Sequence, residues 1–112
     1  MIVSATRSGR GTVFGLRVPE EDRSIWFRPE WRWVTVWLPG EHWPAAVPLT
    51  ESFWHESPEL RSPRIRAFLV REGLETWPTG HPPHFELEPL GGGGFRLRWI
   101  EPRPREPRLL LG

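Results

Sequence analysis

The 112-residue sequence contains no cysteine, lysine, tyrosine, asparagine or glutamine. Without thiols there is no disulfide and no thiolate metal ligand. No apolar run approaches the roughly 20 residues that a membrane-crossing helix needs. The start, Met1-Ile2-Val3-Ser4-Ala5-Thr6, has no charged segment leading into a long apolar core, so no secretion signal is expected and a cytoplasmic location is. Without lysine, all 15 positive charges are arginine, set against 14 acids for a net +1. That balance does not by itself announce a polyanionic partner. Missing amides and thiols suit a thermophile, but hyperthermophile proteins are rich in lysine; a GC-rich bacterial genome accounts better for the arginine. Arginine still carries a planar fork that grips phosphate or guanine at two points and stacks on rings.

Eight tryptophans and 14 prolines are present. Each Trp brings a large buriable area and an N–H that wants a partner. The prolines argue against long helices and wide regular sheets. The length fits one domain, expected over residues 1–101, with 102–112 as an extended Pro/Arg-rich tail ending in Leu109 to Leu111.

Alternation marks a strand from Gly11 to Val18, and Pro19 followed by Glu20, Glu21 and Asp22 marks a short helix reaching Trp26. Trp31 to Leu38 reads as a central strand. It has Trp31, Trp33, Thr35 and Trp37 on one face and Arg32, Val34, Val36 and Leu38 on the other, so cover on both sides is expected. Pro39-Gly40 is a turn, and Ala45 to Leu49 is a short edge strand. Ser62-Pro63 starts the principal helix, expected over Pro63 to Glu72 with Gly73 as its stop, and Ser57-Pro58 suggests one turn before it at Pro58 to Arg61. The clearest local signal is a C-terminal hairpin, His84 to Pro89 and Phe95 to Ile100 around Gly91 to Gly94. With Phe85 opposite Trp99 and Leu87 opposite Leu97, the other face sets Glu86 against Arg98 and Glu88 against Arg96. A slip of one residue would turn the apolar set to water. The fold class expected is α+β: a curved, barrel-like mixed or antiparallel sheet, one principal short helix and this hairpin.

Catalytic signals are weak. No serine stands in a nucleophile elbow, and Glu86 and Glu88 are expected to be occupied by arginines. His81 and His84 flank Pro82-Pro83 in a loop, and with Glu86 they are a poor zinc set; His42 and His55 are a second pair. The four glycines precede a strand and lack the lysine of a phosphate loop. No catalytic residue, metal or cofactor is therefore assigned. The segment Thr6-Arg7-Ser8-Gly9-Arg10-Gly11 is acid-free and can present guanidinium and backbone N–H groups to phosphate, or be a solvated turn. The Trp31, Trp33 and Trp37 stripe reads as core, with a base-stacking platform beside Arg28 and Arg32 as its alternative. Arg64 and Arg71 lie on one side of the principal helix.

A strand ending in "GLRVP", an acidic helix leading to "IWF", the strand "WVTVWLPG", then "IRAFLVREGL" and the paired "FELEPL" and "FRLRWIE" follow one another over Gly11 to Ile100. This order resembles the DNA-binding pseudobarrel of plant "B-three" transcription factors, also found as the effector domain of some restriction endonucleases. The resemblance implies an open seven-stranded barrel gripping the DNA major groove between two arms. The first arm would correspond to Arg7 to Arg10, the second to the region of Glu41 to His55, which here has His42, Trp43 and His55 but no arginine. The expected function is thus a non-catalytic module binding duplex DNA through Arg7, Ser8, Arg10, Arg17 and Arg32. The alternative is a protein-interaction module, such as a phage or defence accessory protein, docking a protein partner through exposed Trp and the C-terminal tail. No membrane association is expected.

Overall fold

The computed structural model describes residues 1–7 and 14–100. Seven strands form a nearly closed, barrel-shaped mixed sheet in the order β4-β3-β7-β6-β1-β2-β5, where β1 is Ile2–Arg7, β2 Phe14–Arg17, β3 Trp33–Trp37, β4 Ala45–Pro48, β5 Glu59–Leu60, β6 His84–Gly91 and β7 Gly94–Trp99. All neighbours are antiparallel except β3 and β7, which run parallel with Trp37 beside Arg96. Among the described residues three helices, α1 Glu20–Trp26, α2 Glu51–His55 and α3 Pro63–Arg71, complete the α+β fold. The expected fold class is the one observed.

Alternation fills the barrel. Val3 and Ala5 of β1, Leu16 of β2, Val34 and Val36 of β3, Phe85 and Leu87 of β6, and Phe95 and Leu97 of β7 all point inward and are buried. At one end Phe27, just after α1, stacks on Phe95 at 4.9 Å between ring centres and lies 5.1 Å from Phe53 of α2. At the other end α3 drops Ile65, Phe68 and Leu69 into the core, with Phe68 against Phe85 and Trp99 at 5.9 Å each. The α3 boundaries follow from capping. The Ser62 hydroxyl accepts the Ile65 N–H at 3.1 Å, Pro63 fills the first turn, and beyond Gly73 the Leu74 N–H returns to the Leu69 carbonyl at 2.8 Å. By contrast α1 has no side-chain cap and buries none of its own residues; Glu20, Glu21 and Asp22 sit in its first turn.

The hairpin register is the expected one: Phe85 opposite Trp99, Glu86 opposite Arg98, Leu87 opposite Leu97 and Glu88 opposite Arg96. The turn is tighter than the four glycines suggest. Gly91 pairs with Gly94, leaving Gly92 and Gly93 at φ 63° and 86° as a two-residue turn, and the register shifts by one at Leu90. Positive φ at both central residues is what a right-handed twisted hairpin demands.

Several expectations are corrected. The turn anticipated at Pro58 to Arg61 is instead the strand β5, drawn into the sheet by pairing Leu60 with Leu16 and Glu59 with Arg17. Helix α2 was not anticipated, because five residues carry too little helical period to read. The strand Trp31 to Leu38 is covered on one side only. Val34, Val36 and Leu38 fill the lumen, while Trp33 and Trp37 face outward, 60% and 37% exposed. A single-layer barrel has no second sheet to cover that face. Glu86 is opposite Arg98 in register, but its carboxylate takes the Met1 amine at 2.9 Å, and Glu88 receives both Arg96 and Arg98 at 3.6 and 3.5 Å. The strand expected from Gly11 begins at Phe14 among the described residues; Ser8, Arg10 and the 102–112 tail lie outside them.

Candidate nucleic-acid interface

Pairing of β1 with β2 puts Ser4 opposite Arg17, Thr6 opposite Gly15 and Arg7 opposite Phe14, and β5 on the far side of β2 sets Glu59 opposite Arg17. The outer face of β2 and β5 therefore gathers Arg17 and Arg61, whereas Arg7, in line with the inward Val3 and Ala5, lies on the opposite face at the end of β1. Arg17 donates to the Glu59 carboxylate at 3.2 Å; Arg61 donates to it through Nε at 2.9 Å and through its terminal nitrogen at 2.5 Å; the Ser57 hydroxyl adds a contact at 3.2 Å. The acid lies beneath its partners: the Glu59 side chain is 11% exposed, those of Arg17 and Arg61 49% and 55%. One covered carboxylate thus orients two outward guanidiniums and leaves the surface net positive. Charge-assisted bonds of this kind fix the plane of the fork and leave its outer N–H groups available.

Arg7 ends β1 on the other face of the sheet, in line with Val3 and Ala5. Its guanidinium lies over the Trp77 ring, 4.7 Å from the centroid, and donates to the Glu75 carbonyl at 3.2 Å. Among the described residues no carboxylate neutralises it, and the contact with the indole holds it at the end of β1.

The same device recurs at α3. Arg64 donates to Glu41 at 2.5 Å, to the Pro44 carbonyl at 2.7 Å and to the Trp43 carbonyl; Arg71 reaches Glu41 at 3.1 Å. Burial by itself would raise the Glu41 pKa, but the hydrogen bonds and charges of Arg64 and Arg71 outweigh it, and the carboxyl sits below its ordinary value. These arginines also pin the 38–44 connection, from which Trp43 projects, 75% exposed.

The remaining anticipated residues scatter. Arg32 precedes β3, separated from β2 by three strands along the sheet order. Its carbonyl accepts the Leu49 N–H at 2.9 Å, and it lines an open cleft with Trp31, Trp54 and Glu51. Arg28 lies on a neighbouring cleft of about 660 Å³ between the end of α1 and the glycine turn. Arg61 was not anticipated as a site residue. Its signal was the stretch Arg61 to Arg71, four arginines with no acid before Glu72. His55 pairs with Glu51 at 3.4 Å, and no group of three or more His, Asp or Glu is placed to hold a metal among the described residues. No helix among them is long and apolar enough to cross a membrane.

Comparison with protein families, with curated proteins and with solved structures found no match to this chain.

Proposed function

We propose that the chain is a non-catalytic module that binds duplex DNA by its phosphates, through Arg17 and Arg61 on the outer face of β2 and β5, with Arg7 at the end of β1 and with Ser8 and Arg10, which follow it in the sequence. The observation that carries this reading is the placing of Glu59 beneath Arg17 and Arg61, which aims two guanidinium forks outward. An ordinary surface ion pair leaves both charges in water and neutral overall. Here the acid is covered and the cations are not. The resemblance to the "B-three" pseudobarrel belongs to the same proposal, since it implies a DNA-gripping arm at Arg7 to Arg10.

Phosphate binding releases counterions, so affinity should fall steeply with salt, and each lost contact should flatten the log–log slope by about 0.9. Titration of labelled duplex with the wild type and with Arg17→Ala plus Arg61→Ala tests this. The expected result is steep salt dependence in the wild type and a slope smaller by roughly two contacts in the double variant. Absence of salt-sensitive binding in the wild type would overturn the reading. In that case the second reading gains: Trp43 and Ile25, 75% and 64% exposed, favour a protein-interaction module.

A further inference from the structure

We propose that the outward face of β3 and β7 is a separate binding surface for single-stranded nucleic acid, on which unpaired bases stack against Trp33 and Trp37. The surface does not use the β1–β2–β5 arginines. Trp33 and Trp37 are both exposed to water, 60% and 37%, on a strand whose other face is fully buried. Between them the floor is low: Thr35 is flanked by Ala46 of β4 and Gly94 of β7. The two indoles thus stand at either end of a shallow trough rather than in a continuous apolar patch.

Spacing selects the ligand. Four residues of strand separate the indoles by about 13 Å. Stacked bases in a duplex are about 3.4 Å apart. Bases resting on Trp33 and Trp37 must therefore be unstacked from each other, a geometry open to a single strand and closed to a duplex. The charge is also suited. Arg96 lies beside Trp37 in the parallel register and Arg98 follows it, 52% and 60% exposed, both held only at 3.6 and 3.5 Å by one carboxylate, Glu88. Glu41, the acid beside the recess next to Trp37, is already neutralised by Arg64 and Arg71. An aromatic pair with adjacent guanidiniums is the chemistry that holds single strands without reading sequence.

The test uses the full chain and two labelled strands, an oligothymidylate and an abasic strand of equal length, followed by anisotropy. The abasic strand keeps the phosphates and loses the bases. The wild type should bind the oligothymidylate at least about tenfold tighter than the abasic strand. Trp33→Ala and Trp37→Ala should each lower oligothymidylate affinity by about tenfold or more and leave the abasic strand unchanged, and Trp33→Phe should retain most of the binding. Arg17→Ala plus Arg61→Ala should leave the preference for bases intact, so failure of the duplex reading and failure of this one give different patterns. Equal binding of the two strands by the wild type, which needs no variant to fold, would overturn the proposal. So would Trp variants that melt normally and bind oligothymidylate as the wild type does.

Discussion

The aliphatic stem of Arg61 lies across Gly15, in the place where any other residue would carry its Cβ. A Cβ built there would stand 2.9 Å from Arg61 Cγ, 3.0 Å from the Leu60 carbonyl oxygen and 3.3 Å from Thr6 Oγ1. The glycine is needed for this close approach, which lets β5 seat against β2 and brings Arg61 onto the carboxylate it shares with Arg17.

Gly15→Ala is accordingly expected to destabilise the fold by about 1–3 kcal/mol, the usual range for overpacking. Part of that loss should be recovered in an Arg61→Ala background, where Cγ is gone but the Leu60 carbonyl remains. Urea denaturation of the four proteins in the cycle checks this. Strictly additive effects would mean that the arginine stem does not press on Gly15.

At the hairpin, coupling should follow the contacts and not the register alone. Arg98 is opposite Glu86, yet its ion pair is with Glu88. A double-mutant cycle on Glu88 and Arg98 should therefore give coupling of a few tenths of a kcal/mol, below about 1, and a cycle on Glu86 and Arg98 close to none. The reverse pattern would restore the direct cross-strand pairing. This contrast marks what sequence could and could not disclose. Register was legible because a slip would have moved Phe85, Leu87, Leu97 and Trp99 into water. The charge partners were not, because long flexible arginines choose among near-equal acids, and the competitor for Glu86 is the Met1 amine brought up by the β1–β6 pairing.

The second acid-centred cluster gives a pH prediction. Glu41 has its folded-state pKa depressed, so its stabilising contribution is complete above the unfolded-state value, about 4.3 for glutamate, and is lost as pH falls through the lower folded-state value. Glu41→Gln should thus cost on the order of 1 kcal/mol at neutral pH. The difference between wild type and variant should shrink as the solution is made acidic, vanishing below the folded-state pKa. Thermal melts from pH 7 downward measure it. A gap that stays constant through the acid range would show that Glu41 does not act through its charge.

The final prediction separates core from surface among the aromatic residues, where sequence reading was least able to do so. In Trp31 to Leu38 the alternation sorted residues into two faces, but both faces were apolar, and periodicity carries no sign for inside. The decision lay in tertiary packing: β3 belongs to a single-layer barrel whose narrow lumen takes Val34, Val36 and Leu38, and no element among the described residues lies over the other side. Strand β5 was hidden for a related reason, since Ser57-Pro58 has the chemistry of a helix start and only the partner strand β2 reveals the two-residue pairing. Phe27, in an unremarked position after α1, turns out to bridge Phe95 and Phe53 at the barrel end. Phe27→Ala should therefore cost about 3–5 kcal/mol, the range for truncating a buried aromatic. Trp33→Ala, despite removing the larger side chain, should cost about 1 kcal/mol or less, as expected for a mostly solvated position. Denaturant midpoints for the two variants decide the matter. If Trp33→Ala proves as damaging as Phe27→Ala, then the outward face of β3 is covered after all, and the single-strand platform built on it falls with that result.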